Sequence, residues 1–269
     1  MKIKIIHKTS YNYSSVVPRL VQSLKLHPTN FYNQKVVKWS IKCNKGKLIE
    51  SHKDSLDHKI FNIFNQNLKG NQTIISEGVI KTKDNSGIMK GLSKNVHPKC
   101  FLRQTSLTKA CDKIIRLSNK AKSLIKNEID FCHKLNFIAG NSIKHVSGST
   151  SIYTSAEKSI LLGKGVCQDF AHILISMARH HNFPSRYING FLLEDSNSRE
   201  NTTHAWVEIF INNIGWIAFD PSHKKCVDEK YVRVSCGLDF LDASTIKGVK
   251  TNYSGNESLS VKVQIYNSQ

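Results

Sequence analysis

The sequence predicts an α+β protein in which a small β-sandwich-like N-terminal domain precedes a core that combines helices with an antiparallel sheet. Short runs rich in Ile, Val and Phe occupy residues 1–83, a helical period begins at Thr105, and strand-like runs return after Pro184. The chain has 269 residues, of which 39% are hydrophobic and 22% charged. This length and composition are typical of a folded globular protein with one large or two small domains.

The N-terminal part is predicted to consist of strands separated by polar turns. The candidate strands are KIKIIHKT, VVKWSIKC, GKLIES, HKIFNIFN and QTIISEGVIKT, with clusters of Asn, Gly, Asp or Lys between them. Residues 83–99 carry turn residues without periodicity. We therefore place the N-terminal domain at residues 1–83 and a linker at residues 84–104.

The remaining residues, 105–269, are assigned to one catalytic core. From Thr105 to Phe137, apolar residues recur every three or four positions, which predicts two helices with a break near residues 118–122. A third helix is predicted to begin at Cys167 and to end near the polar run HHNFP. The strand-like runs that follow are SRYINGFLL, HAWVEIFI, GWIAFD, YVRVSC and SLSVKVQIY.

The formal net charge of +19 does not by itself indicate a nucleic-acid-binding protein. The lysines are scattered along the chain rather than gathered in one stripe, and abundant Lys, Asn and Ile are typical of an AT-rich genome. We therefore expect no specific nucleic-acid partner and no membrane partner. The N-terminus lacks the apolar run of a secretory signal, and no stretch approaches the roughly 18 apolar residues of a membrane span, so we expect a cytoplasmic protein.

The seven cysteines predict reduced thiols rather than a disulfide framework, because their number is odd and no C-x-x-C pair is present. No metal site is expected, since H-E-x-x-H is absent and the adjacent His180 and His181 would point about 100° apart on a helix. We therefore expect chemistry without a metal or another cofactor.

Cys167 is the candidate nucleophile. It lies in the run GKGVCQDFAH, where Gly163 and Gly165 allow the chain to turn tightly into a helix and let a substrate approach the backbone. Unsatisfied N–H groups and the macrodipole at a helix N-terminus favour a thiolate. The same N–H groups, including that of Cys167, could hold the oxyanion of a tetrahedral intermediate.

His204 and Asp220 are the candidate base and its orienting group. HAWVEIFI and GWIAFD are joined by NNI and a glycine, which predicts a β-hairpin with His204 at the start of one strand and Asp220 at the end of the other. A three-residue loop at residues 212–214 would set Asp220 opposite Trp206 and diagonal to His204, about 7–8 Å apart on one face. An even-length loop without a bulge would put them on opposite faces.

Each of these residues has a structural alternative. A single cysteine is most often a small buried hydrophobe, a histidine at a strand start is usually structural, and Asp before Pro usually makes a turn. The catalytic interpretation rests on coincidence: the cysteine lies at a glycine-led helix start, and the histidine and aspartate lie at the two ends of one hairpin.

At these residues the sequence resembles the bacterial transglutaminase-like superfamily, in the group of cysteine peptidases with a β-rich N-terminal domain. The resemblance is carried by GKGVCQDFAHILISMARHHNFPSRYINGFL, HAWVEIFINNIGWIAFDPS and YVRVSCGLDFLDASTIKG, and by YNYSSVVPRLVQSLKLHPTN nearer the N-terminus. It implies a papain-like core of helices packed on an antiparallel sheet. It also implies that Cys167 is the nucleophile, that His204 is the general base and acid, and that Asp220 orients the imidazole.

The residues that contact substrate are less well defined. Cross-linking members of the family use an upstream tryptophan as an oxyanion donor, but no tryptophan lies between Trp39 and Trp206, so the second donor is unassigned and Tyr153 is one candidate. Trp206 shares a strand face with the candidate base and could line the cleft or belong to the core. Asp169 could complement the helix N-terminus or contact substrate. Residues 194–201 could form a substrate loop or a solvated turn.

We therefore expect a cofactor-free cysteine acyl hydrolase or transferase that attacks a peptide or amide substrate through a thioester, with hydrolysis favoured. A net charge of +19 would repel cationic lysine side chains, and the sequence gives no clear sign of a shielded slot for an amine. The alternatives are a protein-glutamine transglutaminase and a non-catalytic binding or scaffold protein that uses the basic surface. The sequence does not specify the oligomeric state.

Overall fold

The computed structural model describes residues 1–122, 127–194 and 203–268. Its strands are β1 (Lys2–His27), β2 (Gln34–Cys43), β3 (Lys47–Lys53), β4 (Lys59–Thr82), β5 (Ile88–Met89), β6 (Lys144–His145), β7 (Lys164–Gly165), β8 (Ser185–Leu192), β9 (Thr203–Ile211), β10 (Gly215–Asp220), β11 (Lys225–Cys226), β12 (Tyr231–Gly237), β13 (Ile246–Thr251) and β14 (Glu257–Asn267). Its α-helices are α1 (Asp112–Asn119), α2 (Glu128–Gly140), α3 (Ala156–Leu162), α4 (Cys167–His180) and α5 (Phe240–Ala243), and a 3-10 helix spans Pro98–Leu102.

The N-terminal domain is built on two long antiparallel strands, β1 and β4, which a register shift between Tyr13 and Val17 divides into halves. The first half of β1 pairs with β14 and with the second half of β4, which carries β2. The second half of β1 pairs with β13 and with the first half of β4, which carries β3. Ile74 from one half packs in a cluster with Leu24 and Ile63 from the other, so the folded-over sheet forms the predicted sandwich-like domain.

Two C-terminal strands complete this N-terminal sheet, which corrects the predicted extent of the core. β13 and β14 both pair with β1, although residues 246–267 fall within the range 105–269 that the sequence analysis assigned to the core. The run SLSVKVQIY does form a strand, but an alternating pattern defines a strand without identifying its partner. The predicted linker at 84–104 also contributes to the core, because β5 pairs with β10.

The core sheet is antiparallel, with the order β11-β10-β9-β8-β12. Helix α4 packs against β9 and β8, and its residues from Gln168 to Arg179 are buried. Helices α1 and α2 pack on α4 and confirm the predicted pair of helices, whereas α3 lies where the sequence analysis predicted no helix. The expected α+β core of helices on an antiparallel sheet is therefore confirmed.

An apolar interface joins the N-terminal sheet to β8 and β12 of the core. The residues in this cluster include Ile3, Ile5 and Ile80 from the first sheet and Phe191, Val232 and Val234 from the second. The Gln34 side chain adds two hydrogen bonds with the main chain of Arg233, at 2.9 Å and 2.8 Å. Among the described helices, none combines the length and the apolar character that crossing a bilayer requires.

Candidate active site

Helix α4 begins at Cys167, as predicted. Val166 is its N-cap and has extended backbone angles (φ −118°, ψ −179°), so the chain passes directly from an extended segment into the helix. The first N–H groups of a helix have no intrahelical partner. Cys167 is the first residue of the helix and has a partly exposed side chain, so the thiol and its own backbone N–H lie together at the helix start.

Asp169 fixes the start of α4 from within the protein. Its Oδ2 accepts hydrogen bonds from the Val166 N–H at 2.8 Å and the Thr150 hydroxyl at 2.6 Å, and its Oδ1 accepts one from the Ser159 hydroxyl at 2.7 Å. A Cβ at Gly165 would lie 2.7 Å from Oδ2, so only glycine leaves room for this carboxylate. Because Asp169 is 0% exposed, the substrate contact considered for it is corrected to a helix-capping role.

A β-hairpin brings His204 and Asp220 together. Strands β9 and β10 are joined by residues 212–214, and their register pairs Phe219 with Val207. This register confirms the predicted three-residue loop and leaves Asp220 diagonal to His204 on the same face. His204 Nε2 lies 2.7 Å from Asp220 Oδ2.

Asp220 is fully buried and accepts hydrogen bonds on both carboxylate oxygens. In addition to His204, Oδ2 accepts from the Tyr231 hydroxyl and from the His223 ring, each at 2.8 Å. Oδ1 accepts from the Ser222 hydroxyl at 2.6 Å, the Ser222 N–H at 2.9 Å and the His223 N–H at 3.2 Å. These contacts fix the carboxylate in the position from which it orients the imidazole.

Hydrogen bonds and charges set the protonation of this pair. Burial alone would lower the pKa of the His204 imidazole, but hydrogen bonds with Asp220 and Cys167 and the charges of both raise that pKa to about 10. Burial alone would raise the pKa of the Asp220 carboxyl, but hydrogen bonds from His204 and His223 hold it well below its ordinary range. At neutral pH the imidazole is therefore a cation held between a carboxylate and the sulfur of Cys167.

The two ring nitrogens of His204 have different partners. Nε2 is hydrogen-bonded to Asp220, so Nδ1 is the nitrogen left for the thiol of Cys167, which is a hydrogen-bond partner of the same ring. A nucleophile, a base and an orienting carboxylate in this order form the arrangement used in acyl transfer. The structure thus brings together the three side chains that the sequence analysis selected.

Trp206 packs behind the imidazole and does not line the cleft. Its ring centroid lies 6.3 Å from that of His204 and 5.4 Å from that of Tyr231. It is 0% exposed and belongs to an apolar cluster that also contains Ile188 and Trp216. Of the two roles considered for Trp206, lining the cleft is therefore corrected to core packing against His204.

The thiol and imidazole open onto a cleft of about 300 Å³. Besides Cys167 and His204, the lining includes His145, Gln168, Tyr187, Asn189 and Phe240, and no Asp, Glu, Lys or Arg among the described residues contributes to it. Tyr153 lies outside this lining and is 71% exposed. Its assignment as a candidate substrate-binding residue and second oxyanion donor stays a prediction.

The residues that surround Asp220 were not among the predicted site residues. In the run DPSH, a hydroxyl and an imidazole follow the aspartate by two and three positions, which is a signal for a side chain that hydrogen-bonds the following turn. Tyr231 carries no comparable local signal, because its contact depends on how β12 is placed in the sheet. The possible substrate loop at 194–201 lies, apart from Glu194, outside the described residues.

His204, Asp220 and His223 place their possible metal-ligand atoms within 4.8 Å of one another. Hydrogen bonds of 2.7 Å and 2.8 Å to the shared Asp220 oxygen account for this spacing. A metal ion bound there would displace the hydrogen bond that orients the His204 ring, so the geometry fits an orienting network better than a metal centre.

Comparisons with known families match two parts of the chain. Residues 116–221 match the transglutaminase-like superfamily, and residues 3–80 match the bacterial transglutaminase-like N-terminal region. Uncharacterized proteins of Mycobacterium leprae and Mycobacterium tuberculosis H37Rv are 29% identical over 132 residues and 30% identical over 129 residues. These alignments cover 47% and 44% of this chain and 46% and 41% of the relatives, so the chain spans less than half the length of the relatives it matches.

A solved structure shares the fold. A candidate cysteine protease from Cytophaga hutchinsonii superimposes with a TM-score of 0.77 at 22% identity, covering 100% of this chain and 92% of that one. At this level of identity the likeness establishes a common architecture for both the N-terminal sheet and the core.

Proposed function

Since the chain belongs to the transglutaminase-like superfamily, with its core at residues 116–221 and the bacterial N-terminal region at residues 3–80, we propose that it is a cofactor-independent cysteine hydrolase of amide or peptide bonds. One observation carries the proposal. Cys167 lies at a helix start against His204, whose Nε2 is held 2.7 Å from the buried carboxylate of Asp220.

In the first half of the proposed reaction, the Cys167 thiolate attacks the carbonyl carbon of the substrate. The carbonyl oxygen becomes an oxyanion and accepts a hydrogen bond from the Cys167 N–H at the start of α4. His204, protonated at neutral pH, gives its proton to the leaving nitrogen. The C–N bond breaks, the amine departs, and a thioester remains on Cys167 beside a neutral imidazole.

In the second half, the neutral His204 acts as a base toward water. Water attacks the thioester carbonyl carbon and loses a proton to the imidazole, and the C–S bond breaks. A carboxylic acid leaves, and the thiolate and imidazolium are restored. Asp220 keeps its charge throughout, because its role is to hold the tautomer and orientation of the ring.

Water is the proposed acceptor of the acyl group. An amine must reach the thioester in neutral form and in a shielded site if it is to compete with abundant water. Among the residues that the structure describes, no carboxylate lines the cleft and could attract a lysine side chain. The net charge of +19 also repels cationic partners at long range. Both features favour hydrolysis over amine transfer.

The proposal is tested by incubating the protein with a panel of peptides and peptide p-nitroanilides while amine release is measured. We expect turnover of at least one substrate by the wild-type protein and a loss of about 10³-fold or more in Cys167→Ala. Equal turnover in both proteins would contradict the proposal. The absence of turnover across the panel in both proteins, together with a wild-type Cys167 no more reactive than the exposed Cys100, would favour the scaffold alternative.

Hydrolysis and amine transfer are separated by adding an excess of a labelled primary amine to the same substrates. We expect the free acid to predominate. Predominant incorporation of the labelled amine, abolished in Cys167→Ala, would instead identify the protein as a transglutaminase.

A further inference from the structure

The candidate site supplies one oxyanion donor and leaves a second to be found. A tetrahedral oxyanion is stabilised by donors preset around the position that it will occupy. The Cys167 N–H is one of them, because Cys167 is the first residue of α4 and no helical carbonyl precedes it by one turn. The tryptophans do not supply the other: Trp206 is buried behind the imidazole, and Trp39 and Trp216 do not line the cleft.

His145 is placed beside the same helix start. It lies on β6, which pairs in parallel with β7, and its register partner is Gly165, two residues before Cys167. The pairing is held by the hydrogen bond from the Val146 N–H to the Gly165 carbonyl, at 2.9 Å. The backbone that leads into the nucleophile therefore also fixes the position of His145.

The His145 ring is oriented by the first turn of α4 and faces the cleft. It stacks on Phe170 with an interplanar angle of 11° and a centroid distance of 6.4 Å. The residue is exposed and contributes to the lining of the cleft that contains Cys167. A ring that lies parallel to Phe170 and offset from it keeps its N–H edge available to a bound carbonyl oxygen.

Of the other side-chain donors in the lining, the amides of Gln168 and Asn189 are less suitable. The Gln168 amide is 8% exposed and already donates to the Ser151 carbonyl at 3.3 Å. Asn189 lies on β8, where its register partner is Ala205, next to the catalytic histidine. Asn189 is therefore on the side of the thiol where His204 donates a proton to the leaving nitrogen. The oxyanion forms on the other side, next to the start of α4.

We propose that His145 is a catalytic residue that donates a hydrogen bond to the oxyanion, together with the Cys167 N–H. The inference rests on the proposed acyl transfer and adds a specific donor to it. The imidazole transfers no proton in this role. It holds the negative oxygen while the C–S bond forms and releases it when the intermediate collapses.

The test uses two reactions of the same thiol. Acylation of Cys167 by p-nitrophenyl acetate passes through an oxyanion, whereas alkylation by iodoacetamide does not. We expect His145→Ala to lower the acylation rate about 10²- to 10³-fold and to leave the alkylation rate and the thermal midpoint within twofold and a few degrees of wild type. His145→Gln, which keeps an N–H donor, should recover part of the acylation rate.

His133→Ala is the matched control, because His133 is also exposed and contacts a core phenylalanine, Phe219, but lies outside the cleft lining. We expect it to acylate like wild type. Equal acylation by His145→Ala and wild type would overturn the inference, as would a parallel loss of acylation and alkylation or a larger acylation loss in Asn189→Ala. A wild-type protein that is alkylated at Cys167 but never acylated would overturn the proposed function itself, and the inference with it.

Discussion

At the scale of single residues, the candidate site depends on how Asp220 is held. Its carboxylate is buried and bonded to the imidazole, to its own following turn and to the hydroxyl of Tyr231. A buried carboxylate with fewer donors would be costly to ionise, and a neutral acid would not hold His204 as a cation. The residues around Asp220 therefore matter for the thiol, although they do not touch it.

Tyr231→Phe tests this dependence. It removes a 2.8 Å hydrogen bond to Asp220 from a residue that is 4% exposed, and a hydrogen bond to a charged group contributes about 1.5–3 kcal/mol. We expect a loss of that size in the free energy of unfolding, measured by urea denaturation, together with slower turnover. Tyr266→Phe, at a position 47% exposed, is the control and should leave both unchanged. A Tyr231→Phe protein as stable as the wild type would show that the hydroxyl does not support the carboxylate.

The pH dependence of turnover follows from the raised pKa of His204. Release of an anilide needs the imidazolium as a proton donor, so kcat/KM should stay high through neutral pH and fall near pH 10, where the ring loses its proton. The raised pKa of His204 also contributes to the free energy of unfolding. This contribution is fully present below the histidine pKa of the unfolded chain, about 6.5, and is lost as the pH rises toward 10. In Asp220→Asn the alkaline limb of the kcat/KM profile should move to lower pH, because the carboxylate that raises the pKa of His204 is gone.

Iodoacetamide alkylation supplies the contrast for this profile, because it needs the thiolate but no proton donor. Its rate should not fall between pH 8 and pH 10 in wild type. An alkaline limb of kcat/KM at the ordinary histidine pKa, near 6.5, would contradict the assignment of the imidazolium.

At the scale of elements, the start of α4 and the β9–β10 hairpin are the two parts that carry the site. The hairpin was predictable, because the three residues at 212–214 fix a register that sets Asp220 diagonal to His204. The helix start was also predictable from a glycine-led run. Strands β13 and β14 were not correctly assigned, because pairing with β1 links residues more than 200 positions apart and leaves no local pattern. His145 was missed for a different reason, because a two-residue pairing with β7 is too short to leave a strand pattern in the sequence.

Gly165→Ala tests the packing at the start of α4. The new Cβ would lie 2.6 Å from the Cβ of Asp169 and 2.7 Å from its Oδ2, and Asp169 caps the helix. We expect a loss of about 1–3 kcal/mol in unfolding free energy and slower iodoacetamide labelling of Cys167, because the displaced helix start no longer presents the thiol to the imidazole.

Gly248→Ala is the matched control for this change. A Cβ added at Gly248 would lie 3.4 Å from the Gln22 side chain, which is an ordinary contact distance, and the backbone there is not left-handed. It should leave stability and labelling nearly unchanged. A Gly165→Ala protein that behaves like Gly248→Ala would show that the capping carboxylate does not set the position of Cys167.

At the scale of the whole molecule, the N-terminal sheet supports the strand that fixes Asp220. The Thr82 hydroxyl donates to the Glu229 carbonyl at 2.5 Å, and the Gln34 side chain bonds the main chain of Arg233. Tyr231 lies between these two anchors. The N-terminal domain thus contacts β12, the strand that carries Tyr231.

We expect Cys167, activated by His204 and Asp220, to form a thioester with an acyl donor. The most direct measurement is peptide mapping by mass spectrometry after brief exposure of the folded protein to p-nitrophenyl acetate. We predict that one acetyl group appears on the peptide containing Cys167 before any other cysteine is modified, and that this acetylation is slowed in His204→Ala and absent in Cys167→Ala. Acetylation that is faster at the exposed Cys100 than at Cys167, or that is unchanged in His204→Ala, would contradict the account.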